Sequence, residues 1–143
     1  MEYYDNCLRI TRKATSLDNV AIYVNKIACL LSLEKFNSVV TESNDALRLI
    51  KNYKNRLDGK HSEEDKKRMT QMELRLAVRK GNALAKLNKV HEAIQEYERA
   101  LKIDPSNAAV QKDLLILQKT NWTRDEYSNN NLNIISIIVI IVH

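Results

Sequence analysis

The stretch from Gly81 to Pro105 constrains this chain more than any other part of it. Gly81 lies inside a helical pattern, and Ala93, Tyr97, Ala100 and Pro105 follow at successive steps of four, three and five from Ala93 onward. Tyr97 and Ala100 share one helix face with Ile94 and Leu101. Residues as small as Gly81 and Ala93 let two antiparallel helices approach closely. Pro105 cannot continue a helix and closes the unit. A helical hairpin is therefore expected between Leu74 and Pro105. The chain holds only two Gly and one Pro in 143 residues and is rich in Leu, Ala, Lys, Glu and Ile. Such a chain favours helices joined by short connections.

A weaker copy of the same hairpin lies upstream. Tyr23 to Leu30 reads as its first helix, and Phe36, Val39, Val40, Ala46, Leu47 and Leu49 supply the apolar face of its second. Ser43 stands where an aromatic is usual, and no proline closes this copy. The repeated pattern, A-x3-F/Y-x2-A-x4-P after a helix with a small residue, is that of the tetratricopeptide repeat (TPR). Ile27 and Gly81 are corresponding residues, and their separation exceeds the thirty-four-residue period of that repeat by about twenty. An insert is assigned to residues 52–73. Within it Leu57-Asp58-Gly59-Lys60 reads as a turn and Ser62-Glu63-Glu64-Asp65 as a capping box. Met69, Met72 and Leu76 continue at helical spacing.

The fold class that follows is all-α, a TPR α-solenoid of antiparallel helix pairs with a C-terminal capping helix. Six helices are predicted, at about 2–14, 18–32, 35–53, 63–87, 90–103 and 107–119. Tyr4, Cys7, Leu8 and Ile10 resemble the end of a repeat's second helix, so the chain is expected to begin in mid-repeat. Ala108, Val110, Leu114, Leu115 and Leu117 mark the capping helix. Residues 1–120 are assigned to the TPR domain and 121–143 to a tail outside it. The tail's Ile/Val run, Ile134 to Val142, is too short to span a bilayer as a helix and has the composition of an aggregation-prone strand.

Enzyme signatures are missing: there is no Gly-rich phosphate loop, G-x-S-x-G or H-E-x-x-H. The expectation is therefore a binding protein, without catalytic residues, metal or cofactor. His61, His91 and His143 are read as solvated, and Cys7 and Cys29 as buried apolar residues in a reducing, cytoplasmic setting. Charge is uneven. Between Arg48 and Lys80 eleven Lys/Arg face five Asp/Glu, which accounts for the net +5 of the chain. A local basic surface points to an acidic partner. RNA is disfavoured because the basic stretch lacks interleaved aromatics for base stacking.

One polar constellation has a job to offer. Arg75 and Arg79 are four apart and share a helix face, and Asn82 and Lys86 extend the stripe. The first helices of successive repeats line the concave side of such an array, which brings Asn25 near it. Two guanidinium forks beside an amide can hold a carboxylate. Spacing alone is equally compatible with ordinary solvated helix charges.

Tyr23-Val-Asn-Lys-Ile-Ala-Cys29 resembles the Y-x-N-R-A-A-C helix of TPR co-chaperones, and Arg75-Leu-Ala-Val-Arg79-Lys-Gly81 is similar to their K-x-x-x-R-R-G helix. The resemblance implies part of a carboxylate clamp for the acidic C-terminal tails of Hsp90 or Hsp70, with the clamp roles falling on Asn25, Arg75 and Arg79. Ala100-Leu-Lys-Ile-Asp-Pro-Ser-Asn107 further resembles members of this group that serve axonemal dynein assembly. The family's clamp also takes a Lys and an Asn from an earlier helix that is missing here, so the clamp expected is partial. The competing expectation is a general TPR scaffold that holds a non-chaperone partner in its groove. Self-association through the exposed first helix or the C-terminal tail is a further expected contact, and no membrane span is expected.

Overall fold

The computed structural model describes residues 16–56 and 60–129, with side chains from Leu17 through Asn121. The helix expected at 2–14, most of the turn at 57–60, and the Ile/Val run lie outside the described residues. Five helices follow in order: α1 (Ser16–Ser32), α2 (Phe36–Asn55), α3 (Glu63–Lys86), α4 (Val90–Ile103) and α5 (Ala108–Asn129). The described residues contain no strand. The helices form an all-α TPR solenoid. α1 pairs with α2 and α3 with α4, α3 also packs on α1 and α2, and α5 closes the end against α4.

Each helix buries the face its sequence marks. Leu17, Val20, Val24, Ile27 and Leu30 of α1 meet Val39, Ala46 and Ile50 of α2 and Met69, Met72, Leu76 and Ala83 of α3 in one core. Each large side chain there contributes about 1.5–3 kcal/mol relative to exposure. A second core joins Ala77, Tyr97 and Ala100 to Val110 and Leu114 of α5. Leu115, expected on the buried face of the capping helix, is instead 57% exposed. Val110, Leu114 and Leu117 follow a 4–3 step onto α4, and Leu115 lies about 100° off that line. α5 also runs ten residues past its expected end at 119, since neither Gly nor Pro interrupts it before Asn129.

The two repeats turn in the same way. After α1 the Lys35 N–H bonds the Leu30 carbonyl at 2.9 Å and the Glu34 N–H bonds the Leu31 carbonyl at 3.0 Å. After α3 the Lys89 N–H bonds the Leu84 carbonyl at 2.9 Å and the Asn88 N–H bonds the Ala85 carbonyl at 3.1 Å. Both are Schellman closures, which require a left-handed residue just past the helix. Glu34 (φ 57) and Asn88 (φ 62) take that role. The offset from position 34 to position 88 is 54 residues, and it maps other features too. Lys26 pairs with Glu42 at 3.0 Å, and Lys80 pairs with Glu96 at 3.0 Å, each across its own helix pair.

The same offset relates Ile27 to Gly81 and Ser43 to Tyr97. In the later repeat a glycine on the first helix faces a tyrosine on the second. A Cβ at Gly81 would lie 2.8 Å from Tyr97 Cε1 and 2.9 Å from Cδ1. In the earlier repeat the bulk changes sides, with Ile27 on the first helix and Ser43 on the second, both fully buried. This accounts for the aromatic that the first repeat lacks.

The extra residues lengthen α2 at its end and α3 at its start. Ser62 caps α3, its Oγ accepting from the Asp65 N–H at 3.1 Å. The acidic first turn suits the positive end of the helix dipole. The Asp65 side chain accepts from the Tyr53 hydroxyl at 3.2 Å, which ties α3 to α2. His61 was expected in solvent. It is half-buried, stacked on Tyr53 with ring centroids 4.8 Å apart, and its Nε2 lies 3.2 Å from the Lys54 carbonyl.

Candidate functional site

α1 and α3 are the first helices of the two hairpins, and α5 follows them as the closing helix. Arg79 lies on α3 at the level of the middle of α1. Its Nη1 donates to the Val24 carbonyl at 2.7 Å, across 55 residues of sequence. That bond sets the guanidinium beside Asn25, whose side chain is exposed. Arg75 is one turn back on α3, exposed, and forms no ion pair among the described residues. Burial first, and then the charge of Arg75, lower the Arg79 pKa from that of a free arginine. Two neighbouring cations without an ion-pair partner among the described residues thus lie where α3 is bonded to α1, at the residue before Asn25.

Arg79 departs from the expectation of a simple surface charge. It is half-buried and already spends one donor on the backbone of α1. A guanidinium has five donors, so the remainder can still serve a ligand. Its removal should cost stability as well as affinity.

Asn82 and Lys86 belong to a different part of the same face. They line a groove of about 570 Å³ near the C-terminal ends of α1 and α3. Leu31, Phe36, Tyr97 and Leu117 supply its apolar lining, and Glu34 and Asp113 add two carboxylates. The Asn82 Oδ1 accepts from the Tyr97 hydroxyl at 2.5 Å, which leaves its amide N–H groups for a ligand. Burial, reinforced by the negative charge of Asp113, raises the Tyr97 pKa to about 12. The Lys86 ammonium is exposed. The structure therefore divides the predicted stripe into a cationic crossing (Asn25, Arg75, Arg79) and a mixed groove (Asn82, Lys86).

Sequence reasoning missed the groove's other walls. Asp113 and Ile116 lie on the exposed flank of the buried stripe of α5, and Glu34 lies in a turn with no Gly or Asn to mark it. A periodicity argument selects buried faces and passes over residues of this kind. Leu115-Ile116, two large apolar residues off the 110–114–117 line, was the available signal, and both prove exposed.

Residues 81–114 match the TPR repeat family. Dynein axonemal assembly factor 4 of Rattus norvegicus is 33% identical over 113 residues, 79% of this chain and 23% of the relative. The Mus musculus protein of that name is 35% identical over 92 residues, covering 64% of this chain and 19% of the relative. The Pan troglodytes protein is 34% identical over 110 residues, covering 77% and 22%. The chain thus spans about a fifth to a quarter of the length of these curated relatives. No solved structure gave a significant match. A repeat matched in sequence, a second repeat that matches it in turn, ion pair and core at a constant offset, and this likeness together support a tetratricopeptide-repeat protein resembling dynein axonemal assembly factor 4.

Proposed function

We propose that this protein-interaction module grips the acidic C-terminal tail of a partner, of the kind that ends Hsp90 and Hsp70, at Asn25, Arg75 and Arg79. Asn82 and Lys86 extend the contact along the concave face. One observation carries the reading: Arg79 is fixed to the Val24 carbonyl beside Asn25, with the uncompensated charge of Arg75 one turn away. Two like charges held together without a counter-ion offer a ready seat for a carboxylate, since a charged hydrogen bond contributes about 1.5–3 kcal/mol. The likeness to dynein axonemal assembly factor 4 supports a role for this chain in axonemal dynein assembly; a co-chaperone acting in the cytoplasm is the form of that role proposed with the clamp.

The test compares an acidic peptide as free acid and as C-terminal amide, by a method reaching high-micromolar affinities. The free acid should bind about ten- to hundredfold more tightly. Arg75→Ala is the informative variant because Arg75 makes no structural bond, and Lys89→Ala, in the turn before α4, is its control. Equal binding of acid and amide, or equal loss in both variants, would refute the clamp. A scaffold that holds a non-chaperone partner in the groove would then be the better account, and the mixed lining of the groove favours it as the second reading.

A further inference from the structure

We propose that the groove between the ends of α1 and α3 and the face of α5 is a second recognition site, for a segment presenting an apolar side chain next to an Arg or Lys. The argument starts from its charges. Glu34 and Asp113 line the same cavity, and neither has an ion-pair partner among the described residues. Lys86 is the one cation lining it, so the groove carries a local excess of one negative charge. The chain as a whole is +5, and the crossing at Arg75 and Arg79 is cationic. The concave face thus changes sign along its length. Phe36 and Leu117 provide apolar wall, and the Asn82 amide can donate to a backbone carbonyl.

The backbone at Glu34 adds an independent reason. Position 34 is left-handed, where a residue other than Gly or Asn costs roughly 1–2 kcal/mol. The matching turn of the later repeat uses Asn88, which tolerates that conformation. The earlier repeat carries a strained glutamate, and that glutamate lines the groove. Strain retained at a binding surface is a mark of use. The charges also separate the occupants. The chain's own run from Ile134 to Val142 is apolar but has no Lys or Arg, so it answers only half of the groove.

The experiment uses the full-length, isotope-labelled chain and short peptides with a Gly-Ser frame. One has Leu-Arg at its centre, one Leu-Glu and one Ser-Arg. All are amidated, and affinity is read only from the groove resonances. A side-chain carboxylate of the Leu-Glu peptide that seats at Arg75 and Arg79 therefore does not enter the comparison, and this test fails or succeeds independently of the clamp. The Leu-Arg peptide should shift the amide resonances of Ser32, Glu34, Lys86 and Asp113 saturably. The other two should bind about three- to tenfold more weakly. Glu34→Lys with Asp113→Lys should reverse the preference between Leu-Arg and Leu-Glu. Asp113→Lys alone, on the exposed face of α5, should at least abolish it. Equal binding of the three peptides, no shifts, or shifts centred on Arg75 and Arg79 would overturn the proposal. So would groove shifts that grow with protein concentration in the absence of peptide, which would assign the groove to a second copy of the chain.

Discussion

Replacing Gly81 by alanine sets two opposed effects against each other in the middle of α3. Alanine is the better helix former by about 1 kcal/mol, so helix propensity alone predicts stabilisation. The structure predicts the reverse. The new methyl would stand 2.8 and 2.9 Å from two ring carbons of Tyr97, well inside the ~3.5–4.0 Å of ordinary carbon contact. Tyr97 is 3% exposed, and its hydroxyl is tied to Asn82 at 2.5 Å, so the ring has little room to slide. Overpacking of this kind costs about 1–3 kcal/mol, and a stretched hydrogen bond adds about 0.5–1.5 kcal/mol. Subtracting the propensity gain leaves a net loss of about 2 kcal/mol. Urea unfolding followed by far-ultraviolet circular dichroism should show it as a midpoint lowered by roughly 1–2 M, for a slope of about 1–2 kcal/mol/M. The control is the same change in a Tyr97→Leu background, which removes most of the ring. There the penalty should shrink toward zero or change sign. A raised midpoint for Gly81→Ala alone, or an equal loss in both backgrounds, would refute the assignment of Gly81 as the seat of the Tyr97 ring.

Glu34→Gly should stabilise the chain by about 1 kcal/mol, because glycine occupies the left-handed position without strain. Asn88→Gly should gain less, and a thermal melt that ranks the two the other way would contradict the account of the turns. Ser43→Ala should raise the melting temperature, by about 1 kcal/mol of stability, since the Ser43 Oγ is buried and makes no hydrogen bond among the described residues. A destabilised Ser43→Ala would reveal a partner for that hydroxyl. Tyr97 gives a pH dependence with a definite sign. Its folded pKa of about 12 lies above the ~10 of an unfolded tyrosine, so the folded state favours the neutral phenol. That contribution is complete below pH ~10 and is lost as pH rises toward 12. Stability should therefore fall more steeply across this range in the parent than in Tyr97→Phe, and equal slopes in urea titrations would argue against a buried, protonated Tyr97.

The parts of the fold that were legible in the sequence are those where one residue type answers one geometric demand. Gly81 marked a close approach, Pro105 an end, and Ser62 the start of α3. The turn after α1 was placed correctly between 32 and 35, but its left-handed residue was not legible, because Glu34 holds a conformation that its side chain disfavours and the cost is met by the packing on either side. The ion pairs of Lys26 with Glu42 and Lys80 with Glu96 were also hidden, since a lysine inside an apolar pattern looks like an interruption until its partner is known. At the candidate site Asn25, Arg75 and Arg79 were selected from spacing and remain the proposed clamp. The bond from Arg79 to the Val24 carbonyl was not, because backbone acceptors leave no trace in residue identity. Asn82 was read as an extension of the stripe, and the bond its oxygen accepts from a tyrosine fifteen residues away was not visible. Asp113 was passed over because the search of α5 followed its buried stripe.

The exchange of bulk between the repeats also bears on how the chain finds its way to one structure. Two similar hairpins in one polypeptide invite mispairing, in which the first helix of one takes the within-hairpin seat on the second helix of the other. Here such a hybrid is penalised in both directions. α3 against α2 would set Gly81 opposite Ser43 and leave a void. α1 against α4 would drive Ile27 into the space filled by the Tyr97 ring. Each helix therefore carries a key that fits only its own neighbour, and the order of the array is written in the side chains as well as in the connections between them.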